Sequence, residues 1–170
     1  MTDILIGIGA NLTPDGYTGP REGCEAAIAL LPDNGITVTA ISTWYETAPV
    51  PISDQPWFNN AVIAAETSLP VEEALASLHR IEGVFGRVRT VRNAARVLDL
   101  DLLDYGGRCL DSAGLTIPHP RLHERAFVLL PLRDVAPDYI HPGSGLSIDD
   151  LISRLPADQM IRPLGLGATD

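Results

Sequence analysis

Two carboxylates one residue apart in an aliphatic run, Leu98-Asp99-Leu100-Asp101-Leu102-Leu103, follow directly on a segment that holds Arg87, Arg89, Arg92 and Arg96. In a β-strand, residues i and i+2 leave the same face about 6.5–7 Å apart. Asp99 and Asp101 therefore point one way, while Leu98, Leu100 and Leu102 point the other. Paired hard oxygen ligands hold a cation such as magnesium, and arginine forks take the phosphate oxygens that the metal leaves free. The pattern predicts a magnesium–polyphosphate site and, with it, nucleotide phosphoryl chemistry. An isolated Asp-x-Asp pair also suits the solvated face of a half-exposed strand. Here the surrounding leucines bring the carboxylates close to a core, where unpaired charge is costly, and a metal or the neighbouring arginines would relieve that cost.

Three further groups of residues could support such a site. Pro118-His119 and His123-Glu-Arg125 place imidazole and guanidinium groups close together, suited to a second anion-contacting edge. Trp57-Phe-Asn-Asn60 sets aromatic faces beside amides, which read as core packing or as a slot for a flat heteroaromatic ring. Gly7-Ile-Gly-Ala-Asn-Leu12 starts like a dinucleotide fingerprint, but Leu12 takes the third glycine position and Pro14 interrupts the helix that should follow. These glycines fit close packing and a sharp turn better.

Composition narrows the field. The formal net charge is −10, which disfavours a general binder of nucleic acid or anionic membrane. All 12 cationic side chains are arginine and lysine is absent, so no P-loop or Schiff-base lysine exists. A local arginine cluster on an acidic chain points to a small anionic ligand. No apolar run reaches the roughly 18–20 residues of a membrane span, and the N-terminus begins like a strand rather than a signal peptide. Only two cysteines, Cys24 and Cys109, occur, far apart, which fits a reducing cytoplasm.

These residues must be positioned by strands and helices that periodicity makes legible. Ile4–Gly9 reads as a central strand, Pro20–Leu31 as a helix, Gly35–Tyr45 as a β-branched strand and Phe58–Glu66 as another. A helix follows, with Ser68 as its expected N-cap, Pro70 in its first turn and Leu75, Leu78, Ile81 and Phe85 on its apolar face. The arginine segment leads into a strand over Val97–Tyr105. Beyond it come a helical stretch through Arg133 and a short helix over Ser147–Leu155 capped by Ser147. The order βα–ββ–αβ predicts an α+β, ferredoxin-like sandwich with a mainly antiparallel sheet and a C-terminal helical elaboration, residues 1–170 forming one domain. Residues Ile161–Asp170 offer no pattern.

Taken together, Gly7-x-Gly-Ala-Asn-Leu, Tyr45-Glu-Thr-x-Pro49, Gln55-Pro-x-Phe-x-Asn60, Arg80-Ile-Glu82, Gly86-Arg-Val-Arg89, Arg96-Val-Leu-Asp-Leu-Asp-Leu, Ile117-Pro-His119 and Arg125-x-Phe127-Val-Leu-x-Pro-Leu resemble the 6-hydroxymethyl-7,8-dihydropterin pyrophosphokinases of folate biosynthesis. The resemblance implies an ATP-dependent monomer in the cytoplasm that binds no nucleic acid or membrane. Asp99 and Asp101 would then hold two Mg²⁺ ions, and Arg87 and Arg96 would clamp the triphosphate. Arg89, His119 and Arg125 would contact the nucleotide phosphates, with Glu82, Leu102 and Thr116 near the adenosine. The pterin would lie between Phe58 and Phe127, bordered by Thr47, Pro49, Val50, Asn60 and Asp99. The sequence departs from the usual family pattern at Asn93-Ala-Ala-Arg96, where Trp-Gly-Pro-Arg is commoner, and at Pro120, where Tyr often follows the histidine.

Overall fold

A computed structural model describes residues 1–49, 53–86, 97–112 and 114–164. The chain opens with β1 (Thr2–Ala10) and α1 (Pro20–Leu30), followed by β2 (Ile36–Ile41), β3 (Tyr45–Thr47) and β4 (Phe58–Thr67). Next come α2 (Val71–Val84), β5 (Asp99–Tyr105) and a hairpin of β6 (Leu110–Ser112) and β7 (Leu115–Ile117). The last elements are α3 (Ala126–Val135), α4 (Ile148–Ser153) and β8 (Ile161–Pro163). Every strand pairing in the main sheet is antiparallel, in the order β5-β1-β4-β3-β8. β2 and β3 share one side of β4: β2 pairs from Ile36↔Thr67 to Ile41↔Ile63, and β3 from Tyr45↔Asn60 to Thr47↔Phe58.

Alternation decides which side chains meet which helices. Ile4, Ile6 and Ile8 of β1, Ala61, Ile63 and Ala65 of β4, and Leu100 and Leu102 of β5 pack with Cys24 and Ala27 of α1 and Leu78 and Ile81 of α2. On the opposite face, Val62 and Leu103 pack with Leu122 and with Val128, Leu129 and Leu132 of α3. Leu102 and Leu103 reach opposite faces by ordinary alternation, and the one-residue register slip between Leu5 and Ile6 lets Tyr105, three residues after Leu102, return to the α1–α2 core. The result is the expected ferredoxin-like sandwich, with α1 and α2 on one face and the C-terminal helices on the other.

Three local expectations need correction. Ser68 does not cap α2: Pro70 occupies the N-cap position and no side chain caps the helix. A residue before proline is pushed to extended backbone, so Leu69 cannot join the first turn, and its N–H bonds to Thr67 Oγ1 instead at 3.1 Å. The strand expected over Gly35–Tyr45 divides at Ser42, whose Oγ accepts the Val62 N–H at 2.9 Å and lets the chain cross from the β2 to the β3 stretch. At its start, Gly35 carries φ 84°, the left-handed turn that ends the 3₁₀ segment Pro32–Asn34. Within the C-terminal stretch, where no pattern was expected, Ile161–Pro163 forms β8 and pairs with β3 from Thr47↔Ile161 to Tyr45↔Pro163. The expected cap at Ser147 is present, its hydroxyl accepting the Asp150 N–H at 3.1 Å.

Candidate active site

A cleft of about 970 Å³ opens on the α3 face of the sheet. Into it β5 sends Asp99, β1 sends Gly9, β3 and its continuation send Thr47 and Pro49, and β4 sends Phe58 and Asn60. Arg125 and Phe127 enter from the start of α3. Seven residues expected at the site, Thr47, Pro49, Phe58, Asn60, Asp99, Arg125 and Phe127, are thus brought together from four stretches of chain. Trp57 is not among the lining residues. Its ring lies under the Arg162 guanidinium at 4.8 Å, so of that aromatic–amide group only Phe58 and Asn60 face the cleft.

Asn60 is 7% exposed and Thr47 4%, and the Asn60 amide donates to Thr47 Oγ1 at 2.6 Å. This bond fixes which way the amide faces, a requirement for reading the edge of a ring. Gly9 pairs with Asn60 on one side and with Asp99 on the other, so β1 holds the amide and the carboxylate in register. A β carbon at Gly9 would collide with Asn60 Oδ1.

Asp99 and Asp101 are half-buried, alternating with the buried Leu98, Leu100 and Leu102, as strand geometry requires. Beneath them Glu82 of α2 is 1% exposed, and its Oε2 accepts the Leu100 N–H at 2.8 Å. The helix thereby grips the strand at the residue between the two aspartates. Leu102 is also buried, in the α1–α2 core. Neither Glu82 nor Leu102 lines the cleft; both lie on the α1–α2 side of the sheet.

A second hollow of about 290 Å³ adjoins the first along His123 and His141, and Thr116 and His119 line it. His119 N–H donates to Leu103 O at 2.9 Å, which anchors the loop after β7 on β5. Its Nδ1 accepts the Arg121 N–H at 3.2 Å. Burial, helped by the charges of Arg125 and Arg121 and opposed by Asp99, pushes the His119 pKa down to about 4. Near neutral pH the ring is therefore uncharged with its proton on Nε2, a hydrogen-bond donor rather than a cation. Arg125 stacks over Phe127 at 5.3 Å from the ring centroid, which leaves its fork directed by a fixed aromatic face.

Val50, Arg87, Arg89, Arg92 and Arg96 lie outside the described residues. No sequence motif marks the far wall of the cleft, where Arg154, Pro156, Asp158, Gln159, Met160 and Ile161 follow α4. Among the described residues, no three His, Cys, Asp or Glu side chains converge on a point.

A family model described as 7,8-dihydro-6-hydroxymethylpterin-pyrophosphokinase matches residues 5–137. The chain belongs to this family. It is 40% identical over 151 residues to the 2-amino-4-hydroxy-6-hydroxymethyldihydropteridine pyrophosphokinase of Synechocystis, covering 89% of this chain and 75% of that one. The enzyme of the same name from Haemophilus influenzae is 36% identical over 163 residues, covering 95% of this chain and 98% of the other. The folic acid synthesis protein fol1 of Pneumocystis carinii is 42% identical over 138 residues, but the match spans only 18% of its length. Among solved structures, the Plasmodium falciparum HPPK-DHPS A437G/K540E chain with pterin and p-hydroxybenzoate superposes with a TM-score of 0.69 over 90% of this chain and 43% of that one. At 14% identity, this likeness concerns the fold alone. No helix among the described residues is long and apolar enough to cross a membrane.

Proposed function

We propose that the protein transfers pyrophosphate from MgATP to the hydroxymethyl oxygen of 6-hydroxymethyl-7,8-dihydropterin, the pyrophosphokinase step of folate biosynthesis. The convergence of Thr47, Asn60, Phe58 and Phe127 with Asp99 and Arg125 in one cleft supports the reading, because two aromatic faces and an oriented amide lie beside a carboxylate and a guanidinium. The hydroxymethyl oxygen attacks the β-phosphorus, the bond from that phosphorus to the α-phosphate oxygen breaks, and AMP leaves. The hydroxyl proton passes to solvent. Such chemistry asks the protein mainly for positioning and charge neutralisation.

Each side chain then has a definite task. Phe58 and Phe127 sandwich the pterin, while Asn60, oriented by Thr47, reads its edge; Pro49 and Val50 border the ring. Asp99 and Asp101 would hold two Mg²⁺, which supply charge neutralisation at the phosphates and acidify the substrate hydroxyl. His119 donates from Nε2 and Arg125 from its fork to phosphate oxygens, and Arg87, Arg89 and Arg96 close over the triphosphate. Thr116 borders the adenosine. The same reading takes residues 1–170 as one domain acting as a monomer in the cytoplasm.

Pterin-dependent ATP consumption tests the activity, and Asp101→Ala tests the map. Losing a metal ligand should abolish turnover at ordinary Mg²⁺, and Arg96→Ala should slow it roughly 10²-fold or more, as other transition-state clamps do. Near-normal turnover of Asp101→Ala would refute the metal assignment.

A further inference from the structure

The far wall of the cleft lies beyond the region of the family match, yet it joins both sides of the site. On one side its main chain extends the sheet: the Ala48 N–H donates to Met160 O at 3.0 Å, and Ile161 pairs with Thr47. On the other side Gln159 reaches the start of α3. Its Oε1 accepts the Ala126 N–H at 2.8 Å, and its Nε2 donates to Glu124 O at 2.7 Å. Arg125 is the residue between those two peptide groups.

The first N–H groups of a helix have no partner within it. At α3 the N-cap position belongs to Arg125, with φ −114° and ψ 113°, and no side-chain cap bond is made there. Asparagine, aspartate or serine would ordinarily supply that bond. An arginine cannot accept one, since its guanidinium carries only donors. From 33 residues away, Gln159 accepts instead from the first helical N–H, that of Ala126, and its amide also binds the carbonyl on the other side of Arg125. With both flanking peptides held, the direction in which the Arg125 side chain leaves the backbone is fixed. Its guanidinium then settles over Phe127.

We infer that Gln159 is a positioning residue for Arg125, a long-range cap that frees the N-cap position of α3 for a phosphate-binding cation. The inference rests on the reading of Arg125 as a phosphate contact. It explains why a residue with no capping ability occupies the N-cap position, and it gives the segment after α4 a part in nucleotide binding.

The test is steady-state kinetics on the full chain for Gln159→Ala, Gln159→Glu, Arg125→Ala and the double variant Gln159→Ala/Arg125→Ala. Gln159→Glu keeps the acceptor for Ala126 but turns a carboxylate oxygen toward the Glu124 carbonyl. Gln159→Asn, one methylene too short to span the gap, replaces Gln159→Ala if that variant fails to fold. The expected result is a roughly tenfold rise in KM for ATP for each Gln159 variant, with KM for the pterin changed less than twofold. In the Arg125→Ala background, Gln159→Ala should add nothing to KM for ATP. A merely structural role would lower Tm and the active fraction while leaving KM for ATP alone, and that result would overturn the inference. Equal rises in both KM values would overturn it too. Should Arg125→Ala raise KM for ATP while the Gln159 variants do not, only the positioning role falls. Should Arg125→Ala leave KM for ATP unchanged, the phosphate assignment falls and the positioning role with it.

Discussion

Gly9 and Gly7 sit two residues apart on β1, and the structure predicts opposite responses to the same substitution. Neither has a left-handed φ, so backbone strain does not separate them. A β carbon at Gly7 would find the Leu103 methyls at 3.5 Å, an ordinary contact. Exchanging a strand-interior glycine for alanine with such room gains about 0.5–1 kcal/mol. At Gly9 the new methyl would run into Asn60 Oδ1, with Asn59 O only 3.4 Å away. Asn60 is buried and bonded to Thr47, so it must abandon that bond or push β4 aside. Overpacking of this kind costs about 1–3 kcal/mol. Losing an oriented hydrogen bond to the pterin adds about 1 kcal/mol or more to binding. At 1.4 kcal/mol per decade that raises KM for the pterin roughly five- to tenfold. Denaturant unfolding and steady-state kinetics on Gly7→Ala and Gly9→Ala read both effects. Equal stabilities, or an unchanged pterin KM in a folded Gly9→Ala, would refute the account of β1 as the strut between Asn60 and Asp99.

Glu82→Ala leaves the buried Leu100 N–H without its acceptor, so unfolding free energy should fall by about 1–3 kcal/mol and the Mg²⁺ needed for half-maximal turnover should rise; wild-type values of both would show that Glu82 does not set the strand. His119 has its pKa lowered from 6.5 to about 4 by burial, so the unfolded chain takes up this proton before the folded one does. Its contribution to stability is fully present above pH 6.5 and is lost as pH falls toward 4. His119→Gln should therefore show a shallower loss of Tm across that window than wild type, and identical slopes would contradict the buried, neutral ring. Cys24 is buried, and burial first, then the charges of Glu25 and Asp99, push its thiol up to about 12, whereas Cys109 is exposed. One equivalent of a thiol reagent should react with the native protein at pH 8 and a second only after denaturation; two fast equivalents in the native state would be inconsistent with the packing of α1.

The alternation of aspartate and leucine at the start of β5 was readable because Leu98, Leu100 and Leu102 meet the same helix-covered face, so local pattern and tertiary burial agree. The order of strands and helices was readable for the same reason. Ser68 misled because Pro70, two residues on, governs where the backbone can turn helical. The break at Ser42 escaped notice because β-branched residues continue through it, and only the partner strand, through the Val62 N–H, marks the crossing. Trp57 and Phe58 looked alike in sequence, yet the pleat sends only Phe58 to the cleft. β8 and Gln159 lay beyond reach. A three-residue strand has no periodicity, and the cap it delivers joins residues 33 apart. The arginines from Arg87 to Arg96, the strongest motif in the sequence, lie outside the described residues and rest on the family pattern and the variants proposed above.

Nucleotide analysis of the purified protein incubated with ATP, Mg²⁺ and 6-hydroxymethyl-7,8-dihydropterin, beside a pterin-free control, tests the central claim most directly. The account predicts AMP in amounts equal to the pyrophosphorylated pterin, and none without the pterin. ADP in place of AMP would mean transfer of a single phosphate, and equal ATP consumption in the pterin-free control would mean hydrolysis. Either result would contradict pyrophosphoryl transfer at this site.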